Sequence, residues 1–208
     1  GALAFAPSID RTDLTREMFR AAWARHTSQE AFYSDDPELL FYEDGVSATV
    51  SVEKRGDHLT LKANGKPEAS DGADMPTQIL VGLMPFIVRS GWQDVEVGDE
   101  KAVMIGYGSG VTAGSALRWP LNHLEVIEIE SAMFEAGKFF RHVNHSPLKD
   151  DRMQPIASDG RNYLEYTNQT FDVIVSEPSN PWIAGVASLF TVDHFKAVKR
   201  HLADDGVF

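Results

Sequence analysis

The 208-residue chain carries 31 acidic against 19 basic residues, a formal net charge of −12, so its surface repels nucleic acid and anionic membrane. The absence of cysteine excludes disulfides, thiolate catalysis and cysteine-ligated zinc. No apolar run approaches the ~20 residues that span a bilayer, and no signal peptide is evident after the mildly apolar Gly1–Ala6 opening, so a cytoplasmic chain without membrane contact is expected.

Thr12 to His26 reads as a short helix, with Leu14, Met18, Ala21, Ala22 and Arg25 at roughly helical spacing, inside an N-terminal helical segment 1–38. Asp35-Asp36-Pro37 then breaks the chain. From Leu39 the texture changes: Val46, Ala48, Val50 and Val52 alternate with polar residues, Arg55 to His58 makes a turn, and Asn64-Gly65 signals another. A small antiparallel β unit is predicted over 39–75. Gln78 to Arg89 is a predicted helix carrying Ile79, Leu80, Leu83, Met84 and Ile87, which Pro85 would kink or end.

The remainder, assigned with that helix to an α/β domain over 76–208, alternates strands with helices. Strands are predicted at Ala102–Ile105, Leu124–Ile129, Pro155–Ala157 and Phe171–Val175. A helix falls at Ala132–Phe140, and another after Thr191 sets Phe195, Val198 and Leu202 on one face. This order predicts an α/β fold, a mainly parallel sheet covered by helices on both faces. A fifth strand is expected to begin only at Gly206-Val207-Phe208, so the sheet reads as truncated at its C-terminal end, with a free edge that invites pairing with another chain or disorder in the final helix.

Four groups of chemistry-bearing residues fall at successive strand ends. Gly106, Gly108 and Gly110 follow the first of these strands and precede a helical stretch, where glycines allow a tight turn and close approach of a ligand. Glu128 ends the next strand about twenty residues further on, where an acid can accept from both ribose hydroxyls, and Glu130 is its rival for that role. Asp159 and Gly160 follow the third strand, where an aspartate can accept from an adenine amino group. Glu177 and Asn180 follow the fourth, so acid and amide groups gather at the carboxyl edge where open α/β sheets bind ligands. The first two groups alone also fit a nicotinamide dehydrogenase, since Gly108, Gly110 and Ala113 satisfy the looser dinucleotide pattern.

Together, Ile105–Val111, Ile127–Glu130, Ser158–Arg161, Phe171–Pro181, Ser188–Thr191 and Lys199–Val207 resemble the polyamine aminopropyltransferases, spermidine synthase and its relatives. Asn64-Gly65-Lys66 and Asp74 extend the likeness over roughly 39–208. It is strongest to bacterial spermidine-synthase-like domains often fused to membrane segments. The resemblance implies a Rossmann-like class I S-adenosylmethionine-dependent methyltransferase fold and a co-substrate that is S-adenosylmethionine or its decarboxylated form, with no metal. It implies that Gly106, Gly108, Ser109 and Gly110 wrap the thioether end, Glu128 holds ribose, Asp159 and Gly160 hold adenine, and Glu177 takes the proton of an attacking amine. Asp74, Gln78 and Asn180 stand where the family binds its amine substrate.

Departures from the family pattern concern charge. Ser109 and Asn180 replace acids, Glu177 is one methylene longer than the family aspartate, and Met75, Gln78 and Leu80 fill a segment that carries acids in the family. Each lost carboxylate removes on the order of 1.5–3 kcal/mol of charge-assisted hydrogen bonding. A neutral Ser109 suits the zwitterionic tail of intact S-adenosylmethionine equally, so little discrimination between donors is expected. The readings that follow are an aminopropyltransferase acting on a polyamine amine, a methyltransferase, and a nucleoside-binding regulatory module whose catalysis has lapsed, with a homodimer among the expectations. The 208-residue chain is expected to bind nucleoside while transferring an aminopropyl group to putrescine poorly or not at all.

Other features have plainer readings. His142 and His145 read as a surface pair before a metal pair. Lys196, Lys199, Arg200 and His201 read as a solvated helix face with cations near its C-terminus. Trp182 reads equally as a lid or an anchor, and Trp23, Trp92 and Trp119 as packing.

Overall fold

A computed structural model describes residues 37–92, 97–177 and 186–208. The helix read at Thr12–His26 lies outside the described residues, as do Asn180, Trp182, Trp23 and the side chain of Trp92.

Four strands open the described chain: β1 (Glu38–Asp44), β2 (Thr49–Arg55), β3 (His58–Ala63) and β4 (Lys66–Ser70). They pair antiparallel in chain order. Asn64 and Gly65 both have positive φ, 50° and 76°, the backbone that a tight two-residue hairpin requires. On one face of this sheet Val50, Val52, Leu59 and Leu61 are buried, continuous with the core of the larger sheet.

The helix α1 (Met75–Trp92) is longer than its sequence signal and runs through Pro85 for about two further turns. Most of the apolar residues that signal it do not form its buried face. Ile79, Leu80, Met84 and Ile87 are exposed, whereas Gln78, Gly82, Phe86 and Arg89 face inward. The reason is a close crossing with the next helix: a side chain at Gly82 would run into the Thr112 carbonyl and Ser115 Cβ.

The second sheet is wholly parallel and contains β5 (Lys101–Ile105), β6 (His123–Glu128), β7 (Met153–Ala157), β8 (Phe171–Ser176) and β9 (Leu202–Val207) in the order β7-β6-β5-β8-β9. The fifth strand thus begins at Leu202, four residues before the expected Gly206, and pairs beside β8 with an irregular register. Helices α2 (Val111–Ala116), α3 (Ala132–Ala136), α4 (Gly160–Tyr166) and α5 (Val192–His201) connect the strands. The predicted helix 132–140 is split, its second half Gly137–Phe140 winding as a 3₁₀ turn.

Alternate residues of β5 enter different cores, as the period of a strand dictates. Ala102 and Met104 join Phe86, Ala113 and Leu117 with the small sheet, and Val103 and Ile105 join Leu164, Ala197 and Val198 on the opposite face. On α5, Phe195 is exposed and Leu202 has left the helix, so the inward residues are His194, Ala197 and Val198.

Arg89 is the buried tie between α1 and the sheet. Its guanidinium donates to Asp172 at 2.9 Å and Asp205 at 2.7 Å, with Glu100 at 3.8 Å. Trp119 packs as read: it stacks on Phe86 and donates to Glu100. Among the described residues no helix is long and apolar enough to cross a membrane.

Candidate active site

A cavity of 570 Å³ opens at the carboxyl edge of the parallel sheet, with the β1–β2 turn, the β3–β4 turn and β4 of the small sheet as its second wall. The strand order reverses between β5 and β8, and the loops that leave those two strands diverge there to make a crevice. Gly106, Gly108, Ser109, Glu128, Asp159 and Gly160 all line the cavity, together with Gln78 and Glu177. Gly110 lies just behind the loop crest, at the start of α2.

The glycine loop is shaped by its backbone and held by side chains. Gly106 has φ of 101°, a conformation L side chains rarely adopt, and its N–H donates to the Ile127 carbonyl at 2.8 Å. Asn144, fully buried, donates from one amide nitrogen to the carbonyls of Ser109 and Gly137, each at 2.8 Å. Tyr107 is buried against Phe134, ring centroids 4.9 Å apart, with its hydroxyl unpartnered and its pKa pushed upward by burial. The Asn144 and Tyr107 supports are not visible as a motif, because Asn144 is distant in sequence and Tyr107 reads as one more loop residue.

The two acids at the end of β6 have different surroundings. Glu128 is buried on the cavity floor, its carboxylate accepting from Tyr107 N and Glu130 N, both at 2.9 Å. Burial pushes its carboxyl up, and these backbone bonds pull against the rise. Glu130 instead accepts from Ser47 N at 3.0 Å, Ser47 Oγ at 3.2 Å and Ala48 N at 3.2 Å. Its carboxylate therefore pins the β1–β2 turn over the cavity. Burial raises its carboxyl, but the Ser47 and Ala48 bonds outweigh this and hold it below the ordinary value.

Asp159 caps α4, its carboxylate accepting from Asn162 N at 3.0 Å. Gly160 is required by packing, since a Cβ there would stand 2.5 Å from Ile105 Cγ2. Asp74 lies behind the cavity wall, accepting from Ser70 N at 2.8 Å, from the Ser70 hydroxyl and from Gln78 Nε2 at 2.9 Å. Gln78 also donates to the Ser70 carbonyl at 2.9 Å and accepts from Ser109 Oγ at 2.5 Å. Two residues singled out separately in the sequence, Gln78 and Ser109, are thus hydrogen-bonded partners.

Glu177 leaves β8 across the crevice from Glu128 and accepts from the buried Thr112 hydroxyl at 3.2 Å. The residue as a whole is exposed toward the cavity. Partial enclosure of its carboxyl nonetheless pushes the pKa up, the Asp74 charge adds to the rise, and the Thr112 bond opposes it. Thr112 carried no sequence signal, since a threonine in a short helix is unremarked until the fold sets it opposite an acid.

His142 and His145 are separated by their partners. His142 Nε2 lies 2.9 Å from Asp71, which also meets His58 and accepts from Leu59 N, while His145 is exposed. Among the described residues no group of three or more His, Asp or Glu is arranged to hold a metal. The basic face of α5 is engaged at its surface, Arg200 with Glu165 and His201 with the Gln169 carbonyl.

The spermine/spermidine synthase domain family matches residues 87–208. The polyamine aminopropyltransferase of Thermoplasma volcanium is 30% identical over 184 residues, 84% of this chain and 64% of that protein. That of Thermococcus onnurineus is 28% identical over 109 residues, 52% of this chain and 38% of that protein. The chain therefore spans less than two thirds of the length of these curated relatives. The crystal structure of spermidine synthase from Thermotoga maritima superimposes with a TM-score of 0.69 at 18% identity, over 81% of this chain and 55% of that one, which establishes a shared fold.

Proposed function

The chain belongs to the spermine/spermidine synthase domain family, and from that premise we propose that its site transfers an aminopropyl group from a sulfonium nucleoside to an amine. The observation that carries the reading is the placement of two acids on opposite sides of the glycine loop: Glu128 after β6 and Glu177 after β8, both lining one cavity.

In this reading Glu128 receives the ribose hydroxyls on carboxylate lone pairs left over from its backbone bonds, and Asp159 and Gly160 bound the adenine. The positive-φ turn at Gly106 brings backbone close to the sulfur. An acceptor amine, neutral when it attacks, forms a bond to the aminopropyl carbon next to the sulfonium. The carbon–sulfur bond breaks, its electron pair neutralises the sulfur, and methylthioadenosine leaves. The amine nitrogen then carries an extra proton, which Glu177 accepts. An upward-shifted carboxyl is the better matched base for this step, because its conjugate acid lies nearer to working pH. The family relatives named polyamine aminopropyltransferases support an amine acceptor, with a polyamine as the specific version.

Incubating the protein with decarboxylated S-adenosylmethionine and putrescine, and following methylthioadenosine and spermidine together, tests the proposal. Stoichiometric appearance of both, abolished by Glu177→Gln, is the expected result, and it would overturn the expectation of poor transfer drawn from Ser109 and Asn180. Methylthioadenosine release without any aminopropylated amine would sink it.

A further inference from the structure

The sheet order assigns the two ends of the cavity. Asp159 follows β7 and Glu128 ends β6, both to one side of β5, while Glu177 follows β8 on the other side. A nucleoside over Glu128 and Asp159 therefore directs whatever hangs from its 5′ carbon toward Gln78, Ser109 and Glu177. The following inference rests on that nucleoside reading.

The hydrogen bonds of Gln78 give this wall a direction. Its amide nitrogen faces two acceptors, the Ser70 carbonyl and the Asp74 carboxylate, each at 2.9 Å. The flipped amide would set oxygen against oxygen twice, so the orientation is over-determined. With both N–H groups spent, Oε1 is left to accept the Ser109 hydroxyl proton at 2.5 Å. That proton points into the protein. Ser109 Oγ also accepts from Val111 N at 3.3 Å, so it and Gln78 Oε1 each keep one lone pair but no hydrogen to offer. Charge on the cavity wall has the same sense. Glu68, Glu128, Glu130, Asp159 and Glu177 line it against Lys66, whose ammonium is 2.9 Å from Glu68.

We propose that Gln78 determines donor specificity: by holding the Ser109 hydroxyl proton it leaves the Gln78–Ser109 wall of the cavity with acceptors only, a wall that takes the ammonium of an aminopropyl sulfonium and rejects the α-carboxylate of intact S-adenosylmethionine. A carboxylate placed there meets lone pairs and like charge, whereas an ammonium donates to both oxygens. Ser109 as a neutral residue suggests tolerance of either donor, and the direction of its hydrogen bond reverses that expectation.

Calorimetric titration of the 208-residue protein with methylthioadenosine, S-adenosylmethionine and the decarboxylated donor provides the test. The wild type is expected to bind the decarboxylated donor about tenfold tighter than the intact one, or more. Gln78→Met frees the hydroxyl proton to meet a carboxylate and should narrow that ratio to about threefold or less, chiefly by improving the intact donor. Ser109→Ala removes an acceptor while leaving Gln78 in place, and should weaken the decarboxylated donor by about tenfold and the intact one by less than about twofold. Equal binding of the two donors by the wild type overturns the proposal, as does either variant moving both donors together. Methylthioadenosine bound without donor discrimination rejects the Gln78 role alone. Failure of methylthioadenosine to bind rejects the nucleoside reading and the proposal with it.

Discussion

Glu128→Gln separates the two duties the structure gives this carboxylate. One oxygen accepts from Tyr107 N and the other from Glu130 N, both at 2.9 Å, in a buried position. An amide supplies only one acceptor, so its NH₂ must face one of the two backbone N–H groups, losing that bond and leaving a buried donor unmatched. The loss of one charged hydrogen bond is worth about 1.5–3 kcal/mol and the stranded donor about 1–3 kcal/mol. Relief of carboxylate desolvation, which burial makes substantial at this residue, offsets part of that. A net destabilisation of about 1–3 kcal/mol is expected, read as a lower urea midpoint at unchanged slope. The same change deprives the ribose of one charged acceptor, so methylthioadenosine should bind about ten- to hundredfold more weakly by calorimetry at a temperature where the variant is folded. A variant that loses stability yet binds methylthioadenosine within about twofold of wild type would refute the ribose role and leave Glu128 as a brace of the glycine loop. Full stability would refute the hydrogen-bond accounting itself.

Thr112→Val removes the hydroxyl that lowers the Glu177 pKa. A base works only when ionised, so the acid limb of the transfer pH profile should move to higher pH, with Thr112→Ser restoring the wild-type position. An unmoved limb would detach Thr112 from the base. Arg89→Leu leaves Asp172 and Asp205 facing Glu100 without their shared cation. One-sided removal of a buried pair costs about 3–5 kcal/mol, and the partial exposure of both aspartates brings the expectation down to about 2–4 kcal/mol by urea denaturation. A loss below about 1 kcal/mol would show that the guanidinium is compensated elsewhere. His194 is fully buried, with neither ring nitrogen partnered, and burial holds its pKa below the ordinary 6.5. The unfolded chain therefore takes up the proton first, and stability falls as pH drops through about 6.5. His194→Phe should be more stable than wild type, by a margin that widens from pH 7.5 to pH 5, and a constant margin in thermal melts would contradict this.

The alternation of apolar runs in β5, β6 and β8 with helical stretches was enough to read a parallel α/β sheet, because strands buried on both faces must be continuously apolar. The positions of Gly106, Glu128, Asp159 and Glu177 at strand ends were legible for a related reason: a parallel sheet sends every strand's carboxyl end to one edge, so local order in the chain becomes proximity in space. Asn64-Gly65 revealed its hairpin through backbone preference alone. What depended on partners far along the chain was not legible. Ile79, Leu80, Met84 and Ile87 signalled a helix correctly, yet the face that packs was chosen by Gly82 meeting α2 and by Arg89 reaching Asp172 and Asp205. Glu128 and Glu130 were rivals two residues apart on one strand, and only the fold brought the Ser47–Ala48 turn onto Glu130. Ser109 and Gln78 looked like two independent losses of charge, and their hydrogen bond, which turns a hydroxyl proton out of the cavity, exists because α1 crosses the loop after β5. Periodicity and turn chemistry are written into neighbouring residues, whereas hydrogen-bond direction belongs to pairs that only tertiary packing brings together.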